Sequence, residues 1–345
     1  MGDDLMKKIL LTLTGGTICS FINSDGFKNS DPKKAAPLLI DNFKRNDKDG
    51  IEFEVLLPLD ILSENMTVDK WNVLLKVLSK VQWDDYEGII ITHGTDTLAY
   101  TASLLSIVMA GCKVPIFMVS SNFSLSDKRA NGNENFKAAV ELIANGIAPN
   151  IYVIYKNSDG ITYLHKGSEI TQCQNYTWDF YSKNMIDYKK FNNIGKTNTR
   201  EMLLYQIECL KNNVLMVEPY VGIDYSAYNL DGKKAVIHGL FHSSTACVDI
   251  LHDGDEIGYS SVLYMINKCK EKGIEFFIAP FEKELLTDEA MYSSTGVLLR
   301  HGAIPIVAMS KEVCYAKLMV AYALFTNQSD IVEFLKKEIN EEMIY

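Results

Sequence analysis

The sequence predicts an α/β protein with a larger N-terminal domain, in which helices flank a mainly parallel sheet, and a smaller C-terminal α/β domain. Three observations predict this. Short apolar runs rich in β-branched residues, typical of buried parallel strands, alternate with helix-like segments. A polar, aromatic stretch from about residue 158 to 199 interrupts the alternation, which then resumes. The length of 345 residues also exceeds the usual size of one core.

Two of the predicted strands end in glycine turns that carry threonine. The strand Lys7–Leu13 runs into Thr14–Ile18 (Thr-Gly-Gly-Thr-Ile), and the strand Ile89–Thr92 runs into His93–Thr97 (His-Gly-Thr-Asp-Thr). Glycine permits a sharp exit from each strand. Because ligands of open α/β sheets bind beyond the carboxyl ends of the strands, we expect both turns to face one pocket.

The remaining elements follow from short apolar runs and from helical periodicity. The predicted strands are Phe53–Leu59, Val114–Val119, Ile151–Tyr155, Val214–Val217, Ala235–Ile237 and Phe276–Ala279. The predicted helices are Trp71–Val81, Leu98–Leu105, Glu134–Ala144, Ser260–Lys272, Ser294–His301 and Asp330–Glu342. We therefore predict an N-terminal domain at 1–190, a linker at 191–212 and a C-terminal domain at 213–345.

Composition argues against several classes of function. A net charge of −10 disfavours a nucleic-acid partner, because phosphate contacts need a basic surface. The seven cysteines are dispersed, which favours reduced thiols and a cytoplasmic location. The longest apolar zone, near Leu104–Val119, is interrupted by glycine, lysine and proline, so no membrane span is expected. The run Ile9–Leu13 is too short for a signal peptide.

A metal site has weak support. Among the six histidines only His238 and His242 have i, i+4 spacing, and no glutamate lies between them. Gly239 follows His238 directly, so the stretch is more typical of a strand end than of a metal-binding helix. We therefore expect neither a metal nor another cofactor.

The polar stretch Cys19–Lys34 follows the first strand and contains the turn signal Asn23–Phe27. A long loop beside a site-bearing strand is a candidate lid. A plain surface loop is the alternative.

Together these motifs resemble the bacterial-type L-asparaginase/glutaminase family, and most closely its cytoplasmic type I branch. Thr14–Ile18 and His93–Thr97 carry the resemblance, because the pair in this order is more specific than either motif alone. Further similar segments are Ser63–Thr67, Leu98–Ser103, Asn131–Phe136, Pro219–Gly222, His238–Thr245 and Ser294–Gly302.

The resemblance implies hydrolysis of a side-chain amide of a small amino-acid substrate, with release of ammonia. It also implies assembly as a homodimer or homotetramer. Thr17 matches the nucleophile, Thr95 and Asp96 match the second threonine and the aspartate that binds the α-amino group, and Ser63 matches the residue that holds the α-carboxylate. The predicted catalytic residues are thus Thr17, Thr95 and Asp96, and the predicted substrate-binding residues are Gly16, Ser63, Glu64 and Gln172.

The sequence departs from the family pattern at three places. Phe27 stands where the family has a lid tyrosine, so a hydroxyl is lost. Gln172 stands where it has a lysine, and glutamine cannot act as a base, which usually costs about 10²–10⁴-fold in rate. Lys166 is either a substitute for that lysine or a solvated residue of a hairpin. Phe241 and His242 replace a glycine-rich segment, which suggests an altered pocket.

Three hypotheses about function follow. The first is an asparaginase-like amidohydrolase that forms an acyl-enzyme through Thr17 or Thr95, on asparagine or on a modified or larger substrate. The second is a binding or regulatory protein that keeps the amino-acid pocket without efficient turnover. The third, an interaction module without a ligand, leaves Asp96 at a strand end without a purpose.

Overall fold

The computed structural model describes residues 7–344, except 23, 25, 47–49, 193–198, 250–256 and 287–290. The chain divides into two compact units, Met1–Leu210 and Lys211–Tyr345. Most of the predicted linker at 191–212 thus belongs to the first unit, and residues 193–198 of it lie outside the described residues.

The first unit is built on a sheet that has seven strands within the described ranges. In chain order, the strands of this unit are β1 (Lys7–Leu13), β2 (Ser20–Ile22), β3 (Lys28–Ser30), β4 (Ile51–Leu56), β5 (Gly88–Thr92), β6 (Ile116–Val119), β7 (Ile151–Lys156), β8 (Thr162–Lys166), β9 (Ile170–Thr171), β10 (Tyr181–Ser182) and β11 (Ile186–Asp187). The sheet order is β11-β8-β7-β6-β5-β1-β4. The five strands from β7 to β4 in that order run parallel, whereas β8 and β11 are antiparallel to their neighbours. Two short antiparallel pairs, β2 with β3 and β9 with β10, lie outside it.

Helices cover both faces of this sheet. They are α1 (Pro32–Asn46), α2 (Val68–Leu78), α3 (Leu98–Val108) and α4 (Gly132–Ala144). Apolar side chains of α1 and α4 pack with alternate residues of β1, β5, β6 and β7 into one buried core. On the opposite face, a Cβ at Gly167 would meet the side chain of Ile151 of β7 at 2.9 Å and Ser106 Oγ of α3 at 2.7 Å, so α3 lies against that face.

The second unit contains a parallel four-stranded sheet within the described part of the chain, in the order β12-β13-β14-β15. Its strands are β12 (Val214–Val217), β13 (Ala235–His238), β14 (Glu275–Phe281) and β15 (Ile304–Val307). Its helices are α5 (Val262–Glu271), α6 (Ser293–Arg300), α7 (Lys311–Leu324) and α8 (Gln328–Lys336). The predicted fold class, with a larger mainly parallel domain and a smaller C-terminal α/β domain, is confirmed.

Several predicted boundaries are wrong, and one of the errors has a clear physical cause. The last helix ends at Lys336 rather than Glu342, because Glu342 turns inward, accepts hydrogen bonds from the backbone of Ile339 and Asn340, and pairs with the fully buried Lys317 at 2.6 Å. The stretch predicted as a long loop after β1 instead forms β2 and β3, and α1 follows at once. Asn23 and Asp25 of its turn signal lie outside the described residues.

Other differences concern position. The strand predicted at Phe53–Leu59 is β4, which lies at Ile51–Leu56 and stops before Pro58. The sequence analysis did not predict α1, β15 or α7. Over the part of the chain that the structure describes, no helix is long and apolar enough to cross a bilayer.

Candidate active site

The two threonine turns touch each other. The strands β1 and β5 are neighbours, with Leu13 opposite Thr92. Beyond these residues Gly16 lies so near the other turn that a Cβ on it would be 2.3 Å from the backbone nitrogen of Gly94. Gly16 also has a φ of 82°, which L side chains rarely adopt. Glycine is therefore required at position 16, and it brings the turns of Thr17 and Thr95 together.

A third loop joins them. Gly16 N donates to the Ile61 carbonyl at 2.7 Å, and Ile61 N donates to the Thr14 carbonyl at 3.1 Å. Two residues further, Ser63 begins a short 3₁₀ turn with Glu64 and Asn65. This backbone pairing fixes the Ser63 turn against the end of β1.

Ser63 is bonded to the turn that carries Asp96. Its hydroxyl accepts a hydrogen bond from Asp96 N at 3.1 Å and donates a long one to Asp96 Oδ2 at 3.4 Å. Thr97 Oγ1 donates to the Ser63 carbonyl at 2.9 Å. Ser63 is buried, whereas the Asp96 carboxylate and Glu64 are exposed. The arrangement presents one carboxylate to solvent from a fixed turn.

The two threonines lie beside this pair. Both are half-buried, and within the described ranges neither hydroxyl has a hydrogen-bond partner in the protein. The Thr17 carbonyl accepts from Ser20 Oγ at 2.9 Å, which fixes its short 3₁₀ turn. Two uncommitted hydroxyls and one carboxylate thus lie on the turns that follow β1 and β5.

Gln172 contacts the backbone of the same turn. Its Nε2 donates to the Thr95 carbonyl at 2.7 Å, and its Oε1 accepts from Ala99 N at 3.3 Å. The amide thereby satisfies an N–H group of the first turn of α3, which has no partner within the helix. Cys173 follows, with its Sγ 4.0 Å from the Thr95 carbonyl. The side chain of Gln172 acts as a brace across the residues that hold Asp96.

The other residues singled out in the sequence have surroundings of their own. Lys166 ends β8 and approaches the buried carboxylate of Glu169 at 3.7 Å. Phe27 directly precedes β3 and is 69% exposed. In the second unit Phe241 and His242 are exposed, and His238 is buried with its Nε2 at 2.7 Å from the Tyr225 hydroxyl.

No group of three or more His, Cys, Asp or Glu side chains in the described part of the chain is arranged to hold a metal ion. Two clefts of about 390 and 570 Å³ in the first unit are lined from α4 and from residues 187–191, and none of the predicted site residues lines them.

Most of the first unit matches a known protein family. Residues 8–203 match the family described as "Asparaginase, N-terminal", a range that contains every predicted site residue. The chain belongs to the asparaginase family.

Two known relatives of this asparaginase-family chain align over nearly all of it. A subunit of the glutamyl-tRNA(Gln) amidotransferase of Methanococcus maripaludis is 26% identical over 98% of this chain and 81% of the relative. The L-asparaginase of Thermococcus kodakarensis is 24% identical over 97% of this chain and 99% of the relative.

Solved structures show the same fold. The thermostable L-asparaginase of Thermococcus kodakarensis has a TM-score of 0.75 at 20% identity, over 98% of this chain and 99% of that structure. L-asparaginase I of Vibrio cholerae has a TM-score of 0.72 at 20% identity, over 98% and 99%. The predicted family is confirmed.

Two supporting residues were missed by sequence reasoning. Thr97 bonds the Ser63 turn, and Thr14 Oγ1 donates to the Thr92 carbonyl at 2.7 Å, which ties the ends of β1 and β5 together. Both are the outer threonines of the two motifs, and that position was the available signal.

Proposed function

We propose that this chain is an asparaginase-like amidohydrolase that hydrolyses a side-chain amide of asparagine, or of a related amino-acid amide, through a threonine nucleophile. The observation that carries the proposal is the contact between the Gly16 and Gly94 turns. It groups two uncommitted threonine hydroxyls with the Ser63–Asp96 pair. Membership of the asparaginase family supports the reaction class.

The proposed reaction has two steps. The Thr17 oxygen attacks the amide carbon and gives a tetrahedral intermediate. Backbone N–H groups at the strand-end turns stabilise the oxyanion of this intermediate. The C–N bond then breaks and the hydroxyl proton passes to the nitrogen. Ammonia departs, and an acyl ester remains on Thr17. Water cleaves that ester, which releases the carboxylic acid and restores the hydroxyl. The exposed Asp96 carboxylate pairs with the α-ammonium group of the substrate.

The weak part of this machinery is proton transfer. Gln172 replaces the lysine that the family resemblance implies, and its amide cannot accept a proton from a threonine. Both ends of that amide are already bonded to backbone at 2.7 and 3.3 Å. We therefore expect turnover about 10²–10⁴-fold below that of a site with a positioned base.

The engagement of the Gln172 amide with backbone favours a second candidate function. This candidate is an amino-acid-binding or regulatory protein with impaired catalysis or a different substrate. Gln172 is bonded to backbone and Phe27 is exposed, so neither supplies a base or a lid hydroxyl. Asp96 and Ser63, the residues proposed to bind the amino acid, are still hydrogen-bonded to each other. Such a protein binds its ligand without efficient hydrolysis.

Ammonia release from asparagine, glutamine and small peptide amides by the purified full chain tests the two candidates. The enzyme hypothesis expects release that Thr17→Ala abolishes and that Thr162→Ala, a control on β8, leaves unchanged. Release that survives Thr17→Ala contradicts a nucleophile at Thr17. No release, together with thermal stabilisation by aspartate that Asp96→Asn removes, supports the binding protein.

The double variant Gln172→Lys with Phe27→Tyr distinguishes a degraded asparaginase from a rebuilt pocket. If the two substitutions raise turnover of asparagine by orders of magnitude, the native site has lost its base and its lid hydroxyl. An unchanged rate instead supports a pocket adapted to another substrate.

We also infer a homodimer or homotetramer in the cytoplasm. The family resemblance supports the assembly, and seven unpaired cysteines agree with a reducing compartment. Light scattering of the purified protein tests the assembly, since a monomer at micromolar concentration contradicts it. Fractionation of the source cells tests the location.

A further inference from the structure

Three buried polar side chains form a row near the candidate site. His93, Ser120 and Tyr155 are each 0% exposed. Within the described residues, His93 Nε2, Ser120 Oγ and the Tyr155 hydroxyl have no hydrogen-bond partner. Buried polar groups in native proteins are nearly always bonded, so three such atoms on neighbouring strands call for a common explanation. We refer to these three residues as the buried polar row.

The strand register brings the row together. Val119 of β6 pairs with Thr92 of β5 on one side and with Ile154 of β7 on the other. The row consists of the next residue on each of these strands, and His93 N extends the ladder by donating to the Val119 carbonyl at 2.9 Å. Because side chains alternate along a strand, the row points away from the core that contains Val119 and Ile154, toward the face against which α3 lies.

The row adjoins the candidate site. His93 precedes the Gly94–Thr95 turn, and the charge of Asp96 acts on its imidazole. Tyr155 is near enough to Cys173 for an ionised thiol to raise the pKa of the Tyr155 hydroxyl, and Cys173 Sγ in turn approaches the Thr95 carbonyl. The row therefore lies behind the turn on which Thr95 and Asp96 are carried.

The imidazole of His93 is a neutral acceptor at this place. Burial lowers its pKa to about 4. Its Nδ1 lies 2.8 Å from the Gly94 carbonyl, which can only accept, so the ring hydrogen is assigned to Nδ1 and Nε2 offers a lone pair. Each of the two hydroxyls can both donate and accept.

The nearest amide satisfies at most one member of the row. Asn131 lies beside Tyr155, where its second Nδ2 hydrogen can only donate to the phenol oxygen, since the first donates to the Lys156 carbonyl at 2.7 Å and Oδ1 accepts from Asn122 N at 2.9 Å. His93 Nε2, Ser120 Oγ and the hydrogen of the Tyr155 hydroxyl are left without a partner among the described residues. A group that satisfies the row must donate to an imidazole nitrogen and exchange hydrogen bonds with two hydroxyls. An ion is disfavoured because the three side chains are neutral and buried.

We propose that the buried polar row is a water-binding site, in which ordered water donates to His93 Nε2 and bridges to Ser120 Oγ and the Tyr155 hydroxyl. Buried waters typically make about three hydrogen bonds of this kind. A donor at Nε2 keeps the ring hydrogen on Nδ1, where it bonds the Gly94 carbonyl and positions the turn of Thr95. The site stands whether or not the chain hydrolyses amides.

A high-resolution crystal structure of the full chain tests the site directly. The expected result is a water at about 2.7–3.2 Å from His93 Nε2 and from at least one of the two hydroxyl oxygens. A direct hydrogen bond between His93 and Ser120, or a row packed closed without water, overturns the proposal.

Paired substitutions supply a second test in solution. Ser120→Ala and Tyr155→Phe each remove a hydroxyl that binds the shared water, so each lowers Tm by about 2–4 °C and the double variant loses clearly less than the sum. The matched control pair is Ser106→Ala with Tyr152→Phe. Their hydroxyls bond the carbonyls of Ala102 at 2.8 Å and Ala148 at 3.0 Å, so their losses add. Single variants of the row that raise Tm, or losses that add as in the control, overturn the water site.

Discussion

Each of the two units has a parallel strand that ends in His-Gly. In the first unit this is His93-Gly94 after β5, and in the second it is His238-Gly239 at the end of β13. Both imidazoles are fully buried, and burial lowers the pKa of both to about 4. A buried neutral histidine followed by glycine is therefore a way to end a strand in this protein, and it does not by itself mark a reactive site.

The residues that follow the dipeptide differ. After Gly94 come Thr95–Thr97, which the Ser63 turn holds by side-chain hydrogen bonds. After Gly239, the turn closes on itself, since Phe241 N donates to the Thr245 carbonyl at 2.9 Å. The first turn is held by side chains of the Ser63 turn and presents a carboxylate. The second closes through its own backbone, receives one hydrogen bond from Thr295 Oγ1 to the Ser244 carbonyl at 2.8 Å, and presents an exposed Phe241. The comparison supports the proposal that the chemistry depends on the three residues after Gly94.

The largest expected effect concerns the contact that joins the site turns. Gly16→Ala introduces a Cβ 2.3 Å from Gly94 N at a φ of 82°. Backbone cannot yield as a flexible side chain does, so we expect a loss of more than about 3 kcal/mol in the free energy of unfolding, or failure to fold. Urea denaturation measures the loss.

Gly160→Ala is the matched control for that substitution. Gly160 has a φ of 83°, and no heavy atom lies within 4 Å of the place that a Cβ on it would take, so it reports only the backbone cost of about 1–2 kcal/mol. Equal losses in the two variants contradict a close contact between the turns.

The contact between the glycine turns illustrates what the sequence could predict. Continuous apolar runs identify β1 and β5 as buried strands, and the glycines at their ends mark turns on the same edge of a parallel sheet. The missed helix α1 begins at Pro32 inside a polar stretch and contains Pro37, so its helical pattern was obscured. The brace by Gln172 was also out of reach, because it depends on how the loop after β9 folds back onto the start of α3.

The next effect concerns acid stability at both His-Gly steps. An ordinary histidine has a pKa of 6.5, and burial lowers those of His93 and His238 to about 4. Between these values the unfolded chain binds protons that the folded chain does not, so the free energy of unfolding falls as the pH decreases. Each histidine accounts for up to about 3 kcal/mol of that loss by pH 4.

Imidazole NMR signals, assigned with His93→Gln and His238→Gln, follow each titration separately. Asp96→Asn removes a charge that raises the pKa of His93 alone, so it should lower that pKa and leave His238 unchanged. Protonation of either imidazole at pH 6 in the folded chain would count against burial as the cause.

A smaller effect comes from the two glycines themselves. A Cβ at Gly94 would lie 2.4 Å from Ser63 Oγ and 2.6 Å from Ser63 Cβ, which is a short, buried side chain. A Cβ at Gly239 would lie 2.4 Å from Glu218 Oε2, the end of a long and flexible side chain. We expect Gly94→Ala to cost about 1–3 kcal/mol and Gly239→Ala less than about 1 kcal/mol in thermal or urea unfolding. The reverse order would show that the second turn is the more tightly packed.

The smallest expected effect on stability concerns Gln172, which supports the turn after Gly94. Gln172→Ala removes two side-chain hydrogen bonds to the turn of Asp96, which we expect to cost about 1 kcal/mol, as the loss of a helix cap does. Gln174→Ala, at an exposed position two residues later, should cost less than about 0.5 kcal/mol. Amide hydrogen exchange then shows where the loss occurs.

The Gln172 brace predicts faster exchange at Ala99 N, whose acceptor is removed, with no change at Phe241 N, whose acceptor is a backbone carbonyl. If Gln172→Ala leaves exchange at Ala99 unaltered, the first turn of α3 is held by its own helix. In that case the Gln172 side chain binds the substrate, and slow proton transfer is explained by the lack of a hydroxyl at position 27.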